Sequence, residues 1–118
     1  MTLDEIDREA LREKIEAGAV VVVDALSPLS YAASHLPGAV NIPPGRVDDL
    51  ADRRLPDRDA EVVVYCTGVG CDASVDVARR LLELGYRNVR HYAGGKEDWR
   101  AAGLPLEGAR VDAGGSRA

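Results

Sequence analysis

An α/β domain built on a mainly parallel sheet is the fold class this sequence predicts, and three observations carry the expectation. Two unbroken β-branched runs, residues 20–24 and 62–65, lack the alternation of a sheet with one wet face. Both therefore read as strands covered on each side. Amphipathic stretches with helical spacing separate the apolar runs, as a layered α/β chain requires. The second run ends at Cys66, inside a glycine-rich loop that leads straight into a helix. The carboxyl end of such a strand is where parallel sheets bind their ligands.

The elements follow in order. Thr2 and Glu5 have the form of a capping box, and Leu3, Ile6, Ala10, Leu11 and Ile15 then recur near helical spacing until Gly18, which predicts a first helix. Strand 20–24 comes next. Residues 27–34 predict a short helix, Leu36-Pro37-Gly38 a turn, and 39–42 a brief strand closed by Pro43-Pro44. Residues 46–52 predict one or two helical turns with Val47 and Leu50 inward, and 53–59 a charged connection. After Cys66 a helix is expected to run to Leu84, with Val75, Ala78, Leu81 and Leu82 inward and Gly85 as its stop. Residues 89–92 are a third strand candidate, and Gly94-Gly95 opens a short helix over 97–102 that carries Trp99 and ends at Gly103. The small, polar composition from Gly108 onward favours disorder, so the expected domain is 1–107 and its tail 108–118.

Composition narrows the function. A length of 118 residues fits one domain of ordinary size. The net charge of −5, with basic residues spread among acids, leaves no stripe to neutralise phosphates, so a nucleic-acid partner is not expected. No stretch approaches the roughly 18 apolar residues of a membrane span. The first residues are acidic and polar where a secretory signal would be basic and then apolar, which makes the cytoplasm the expected location. Two cysteines five positions apart in such a chain read as a reactive or redox pair rather than a staple. Neither His35 nor His91 has metal-ligand spacing to them, and no metal is expected.

The chemistry concentrates at Cys66-Thr67-Gly68-Val69-Gly70-Cys71-Asp72-Ala73-Ser74. A helix N-terminus presents unpaired N–H groups and the positive end of its dipole, which stabilises a thiolate facing it. Gly68 and Gly70 are expected to take positive φ and curl the loop amides inward as an anion nest. A buried structural cysteine needs none of this company, although a small hydrophobe is a common role for cysteine. Cys71 lines the cradle, resolves Cys66 as a second thiol, or is incidental; the residues leave these three open. Asp72 is the expected N-cap, with Ser74 competing, and its charge opposes dianions at the loop mouth. His35 reads as a turn-fixing ring N–H before it reads as a base, and His91 and Trp99 read as scaffold.

Three motifs in order, His35-Leu36-Pro37-Gly38-Ala39-Val40-Asn41-Ile42-Pro43, the Cys66 loop, and Gly94-Gly95-Lys96-Glu97-Asp98-Trp99 ending in Ala102-Gly103-Leu104-Pro105, resemble a single-domain rhodanese across nearly the whole chain. The resemblance implies a rhodanese-like three-layer sandwich around a five-stranded, mostly parallel sheet. It implies that Cys66 is the sulfur-carrying nucleophile and that Thr67, Gly68, Val69, Gly70, Cys71, Asp72 and Ala73 form the substrate-binding loop. The implied activity is sulfur transfer: the Cys66 thiolate takes a sulfane sulfur from thiosulfate or a persulfide, and cyanide, a small thiol or a protein acceptor removes it. No metal or organic cofactor is implied, because the cysteine is itself the carrier.

Two departures from that family bear on substrate. The usual loop carries a basic residue soon after the cysteine and often an arginine before the helix-opening serine; this loop has neither and is about two residues longer, judged by motif spacing. Asp24 is followed by Ala25-Leu26, where many relatives carry an arginine. A phosphatase on the same fold would need that guanidinium to stabilise equatorial oxygens. Other readings are a Cys66/Cys71 thiol redox relay and a non-catalytic, sulfur-sensing binding module.

Overall fold

The structure, a computed structural model, describes residues 3–109. Its elements are β1 (Asp4–Glu5), α1 (Arg8–Glu16), β2 (Val21–Asp24), α2 (Pro28–Ala33), β3 (Val40–Asn41), α3 (Val47–Arg54), β4 (Glu61–Tyr65), α4 (Ala73–Glu83), β5 (Asn88–His91) and α5 (Gly95–Ala101). The five strands form one sheet in the order β1-β5-β4-β2-β3, and every pairing is parallel. The predicted α/β class and its five-stranded sheet are therefore what the chain adopts. Among the described residues no helix is long and apolar enough to cross a membrane.

Strand parity builds the layers. On β4, Val62 and Val64 pack with Val47, Leu50 and Ala51 of α3 and with Val77, Ala78 and Leu81 of α4. Val63 and Tyr65 face the other way, into a cluster with Leu11 of α1, Leu36, Tyr92 and Trp99 of α5. Both faces of β4 are thus sealed, which is why its sequence is a continuous apolar run. Cys66 continues the parity of Val62 and Val64 and falls on the α3/α4 side, 2% exposed.

A buried polar knot fixes the level at which β4 ends. Tyr65 Oη donates to Asp24 Oδ2 at 2.6 Å and accepts from the Leu36 N–H at 3.0 Å, while the Leu26 N–H donates to Asp24 Oδ1 at 2.8 Å. These bonds satisfy a carboxyl that burial pushes above the usual carboxylate range. Asp24 is thus the structural keystone between β2 and β4 rather than a group open to solvent.

Several boundaries differ from expectation. Glu5 lies in β1, paired with His91 of β5, so α1 begins only at Arg8, and its cap is Asp7, whose side chain accepts from the Ala10 N–H at 2.8 Å. Thr2, the other half of the expected capping box, lies outside the described residues. The pairing of an edge strand outweighs the local cap signal here. α3 runs on to Arg54, inside the expected connection, and α4 starts at Ala73. Its inward face is Ser74, Val77, Ala78 and Leu81, with Val75 and Leu82 only partly covered, because the first turn is set by the loop rather than by apolar spacing. α5 starts at Gly95, two residues earlier than expected. Gly108 and Ala109 lie inside the described residues and run beside α2, with the Ala109 N–H donating to the Ala32 carbonyl at 2.8 Å; the rest of the expected tail, 110–118, lies outside them.

Candidate functional site

β4 delivers Cys66 to the carboxyl end of the sheet, and two neighbouring segments then hold it. The Lys96 N–H donates to the Cys66 carbonyl at 2.9 Å and the Glu97 N–H to the Thr67 carbonyl at 2.8 Å, so the first turn of α5 clamps the start of the loop. That approach requires Gly95: it has φ +66°, and a Cβ there would lie 2.7 Å from the Cys66 carbonyl oxygen and the Gly68 nitrogen. The loop then turns back, with the Cys71 N–H on the Gly68 carbonyl at 3.2 Å and Gly70 at φ 91°. Only one of the two loop glycines takes positive φ. A Cβ at Gly68 would meet Glu97 Oε1, the end of a movable side chain, at 2.8 Å.

Cys66 and Cys71 form a disulfide, with their Cα atoms 6.5 Å apart. Cys71 therefore stands beside Cys66 rather than elsewhere on the loop. Asp72 occupies the N-cap position of α4, but its side chain makes no capping bond, and Ser74 is not a cap either. Ser74 is fully buried, its Oγ 3.3 Å from Cys66 Sγ and 2.8 Å from His91 Nε2. The scaffold reading of His91 is thus incomplete: its ring reaches the cysteine through one serine. Sequence parity carried a signal for this, because Val89 points into the α4 layer and His91, two positions on, shares its face. What the sequence withheld was the strand order that sets β5 beside β4 with Val64 opposite His91.

The remaining predicted residues are placed as follows. Thr67 and Val69 are exposed on the loop, Val69 at 90%, while Gly68 is buried and Ala73 partly covered at the start of α4. His35 Nδ1 lies 2.7 Å from the Tyr31 carbonyl and its ring stacks on Tyr31, the turn-fixing role expected. Trp99 is buried and donates from Nε1 to the Pro105 carbonyl at 2.8 Å, which makes it scaffold. Among the described residues no three His, Cys, Asp or Glu side chains converge as metal ligands.

The electrostatic setting is acidic. No Lys or Arg occurs between Cys66 and Arg79, whereas Asp72 is exposed at the loop end and Glu97 stands against Gly68. Lys96, next in the chain to Gly95, turns its Nζ away to the Ser34 carbonyl at 2.8 Å, and burial holds its pKa below the usual lysine range. An adjoining cleft of about 590 Å³ is lined by Glu5, Asp7, Arg8, Glu9, Tyr92 and Asp98 among others. Among the described residues that line it the one cation, Arg8, is paired to Asp98 at 2.9 Å.

A parallel α/β sheet whose central strand ends in a cysteine-bearing loop, clamped by a following Gly-Gly segment, defines a class of domain with a cysteine at the carboxyl end of the sheet, where such sheets bind ligands. Comparison with known proteins assigns the family. The family model described as Rhodanese-like domain matches residues 7–102, and the chain belongs to that family. It is similar to the protein named thiosulfate sulfurtransferase GlpE of Haemophilus influenzae, at 33% identity over 108 residues that cover 91% of this chain and 97% of the relative. It is also 41% identical over 110 residues to the HTH-type transcriptional regulator Rv0324 of Mycobacterium tuberculosis. That match covers 92% of this chain but only 47% of the regulator, so the chain spans about half of that relative's length. The crystal structure of the BH2092 protein from Bacillus halodurans superposes with a TM-score of 0.83 at 29% identity, covering 92% of this chain and 82% of the other.

Proposed function

We propose that Cys66 carries sulfane sulfur from the persulfide of a small thiol, in preference to thiosulfate, to a thiol or cyanide acceptor. The enzyme class is a rhodanese-type sulfurtransferase. The observation that carries the donor preference is a nucleophile loop with no cationic side chain, bordered by Asp72 and Glu97. Amides and a helix N-terminus suffice for one negative charge on sulfur. A dianion such as thiosulfate also meets both carboxylates, and nothing in the loop compensates them.

The reaction begins once a thiol has reduced the Cys66–Cys71 bond. The Cys66 thiolate attacks the outer sulfur of the donor; the donor S–S bond breaks, and its thiolate leaves with the electron pair. Cys66 then holds a persulfide. An acceptor thiolate or cyanide attacks the terminal sulfur, and Cys66 departs as a thiolate. The test is intact-protein mass spectrometry of the Cys71→Ser chain, in which no loop disulfide can form, after exposure to glutathione persulfide or, separately, thiosulfate. One added, cyanide-labile sulfur is expected, gained faster from glutathione persulfide. Absence of an adduct with both donors overturns the proposal and leaves the binding-module reading.

Charge at the loop mouth gives a graded check. Asp72 makes no capping bond, so its replacement perturbs α4 little. Asp72→Arg is expected to raise the rate of loading from thiosulfate about tenfold relative to glutathione persulfide, the effect of exchanging one repulsion for one attraction near a surface. An unchanged ratio in stopped-time mass spectra would count against the electrostatic account.

The pairing of Cys66 with Cys71 favours a second step on the same site. In a Cys66 persulfide the Cys71 thiolate can attack the Cys66 sulfur, forming the disulfide while the terminal sulfur leaves as hydrosulfide with the bonding electrons. An external thiol then restores both cysteines. In a single turnover without added thiol, Cys71→Ser is expected to accumulate the persulfide, whereas the parent chain discharges hydrosulfide and ends as the disulfide. Equal hydrosulfide release from both proteins would eliminate this step.

A further inference from the structure

The hydroxyl of Ser74 lies between two groups that the reaction needs connected. Its Oγ is 3.3 Å from Cys66 Sγ and 2.8 Å from His91 Nε2, and the serine is fully buried. In the reduced protein Cys66 carries a thiol, and a serine hydroxyl, with one proton and two lone pairs, then accepts from the thiol while donating to the imidazole. Neither bond serves α4 itself: Ser74 sits inside the first turn and caps nothing.

We propose that Ser74 and His91 form the path by which the Cys66 thiol loses its proton as it attacks a sulfur donor. The inference rests on Cys66 being the nucleophile argued above. The S–H bond breaks and its electron pair stays on sulfur. The proton passes to Ser74 Oγ while the serine's own proton passes to His91 Nε2. The products are a thiolate and an imidazolium; the serine is unchanged, and no other reactant is consumed. The reverse shift returns the proton when Cys66 leaves its persulfide as a thiolate. Ser74 touches the reacting sulfur; His91, acting through it, positions the hydroxyl and holds the proton.

The surroundings suit this role. Burial holds the His91 pKa below the usual imidazole value, so the ring is a neutral proton acceptor at pH 7. The charged group that faces it is Glu5, its register partner on β1, whose carboxylate pulls the other way and stabilises the imidazolium once formed. From β4 its register partner is the apolar Val64, and α4 contributes the neutral Ser74. An ordinary thiol keeps its proton at neutral pH, with a pKa near 8.5. A general base within reach removes that restriction.

The test reads Cys66 alkylation by iodoacetamide against pH, on a Cys71→Ser background in which no loop disulfide forms. Cys71→Ser alone is compared with the same chain carrying His91→Gln or Ser74→Ala, each checked by its thermal melt. The Gln amide can still hydrogen-bond Ser74 but cannot take its proton, so a merely structural His91 leaves the profile unmoved. With His91 present, reactivity is expected to persist on the acid side until the ring gains a proton from solvent, below the ordinary imidazole range. Both variants are expected to lose about tenfold in rate at pH 7, with the acid limb moved up by about one pH unit. Profiles that superimpose on the background chain in either folded variant would overturn the relay. Alkylation needs no sulfur donor, so a shifted profile without sulfur loading would instead retire the sulfur-transfer reading and leave the relay standing.

Discussion

Cys66→Ser is expected to abolish sulfur loading, lowering it at least about a thousandfold with either donor while the fold persists. The two side chains differ by one atom, and the site is closed enough that serine fits without opening a cavity, since Cys66 is 2% exposed against Val77, Ala78 and the strand. What changes is chemistry. A hydroxyl does not ionise near neutral pH, and oxygen forms no persulfide. Circular dichroism and intact-mass measurement on the same sample check both halves of the expectation. Retention of cyanide-labile sulfur in a folded Cys66→Ser chain would move the carrier to another residue, with Cys71 next in line.

Gly95→Ala is the second large effect. An added methyl would meet the Cys66 carbonyl oxygen, the Gly68 nitrogen and the Thr67 carbonyl carbon, each at 2.7 Å, and these are main-chain atoms that no rotamer can move. The φ of +66° adds strain for any residue with a side chain. The Cys66 loop and α5 must therefore separate, losing the Lys96 and Glu97 amide bonds that register them. Stability is expected to fall by about 2 kcal/mol or more, and sulfur loading about a hundredfold, because a displacement on the ångström scale suffices for such a loss. Gly103→Ala is the matched control. Its φ is +76°, yet a Cβ there meets nothing within 4 Å, so it carries the backbone strain without the collision. A Gly95→Ala chain whose melting temperature and loading rate match those of Gly103→Ala would refute the collision account.

Much of this was legible in the sequence wherever one physical demand dominated. Run 62–65 reads as a strand covered on both faces because it buries four consecutive β-branched or aromatic residues, and the run ending at Asp24, with Val22 and Val23 buried, pairs beside it. Cys66 followed from the end of such a run. β1 was hidden for the opposite reason: Asp4 and Glu5 are exposed acids, and only pairing to Arg90 and His91 makes them a strand. The inward face of α4 was misread by about one residue for a related reason, since Ser74 takes an inward position that apolar spacing alone assigns to a hydrophobe. The partnership of Ser74 with His91 crosses 17 residues and depends on strand order, which no local pattern encodes. Gly95 was visible as a turn residue, but its contact with the chain at Cys66 appears only when β4 and α5 are brought together.

Cys66 has its main chain held from one side of the sheet and its side chain addressed from the other. Its carbonyl is bound by α5, which rests on the Trp99 layer, whereas its sulfur lies among α4 and β5 in the opposite layer. Position and temperament of the nucleophile are thereby separate settings. Substitutions on the Trp99 side act first on how firmly the loop is seated, and substitutions on the α4 side act first on how readily the sulfur reacts. A domain wired this way can drift toward new sulfur donors without first having to rebuild its anchor.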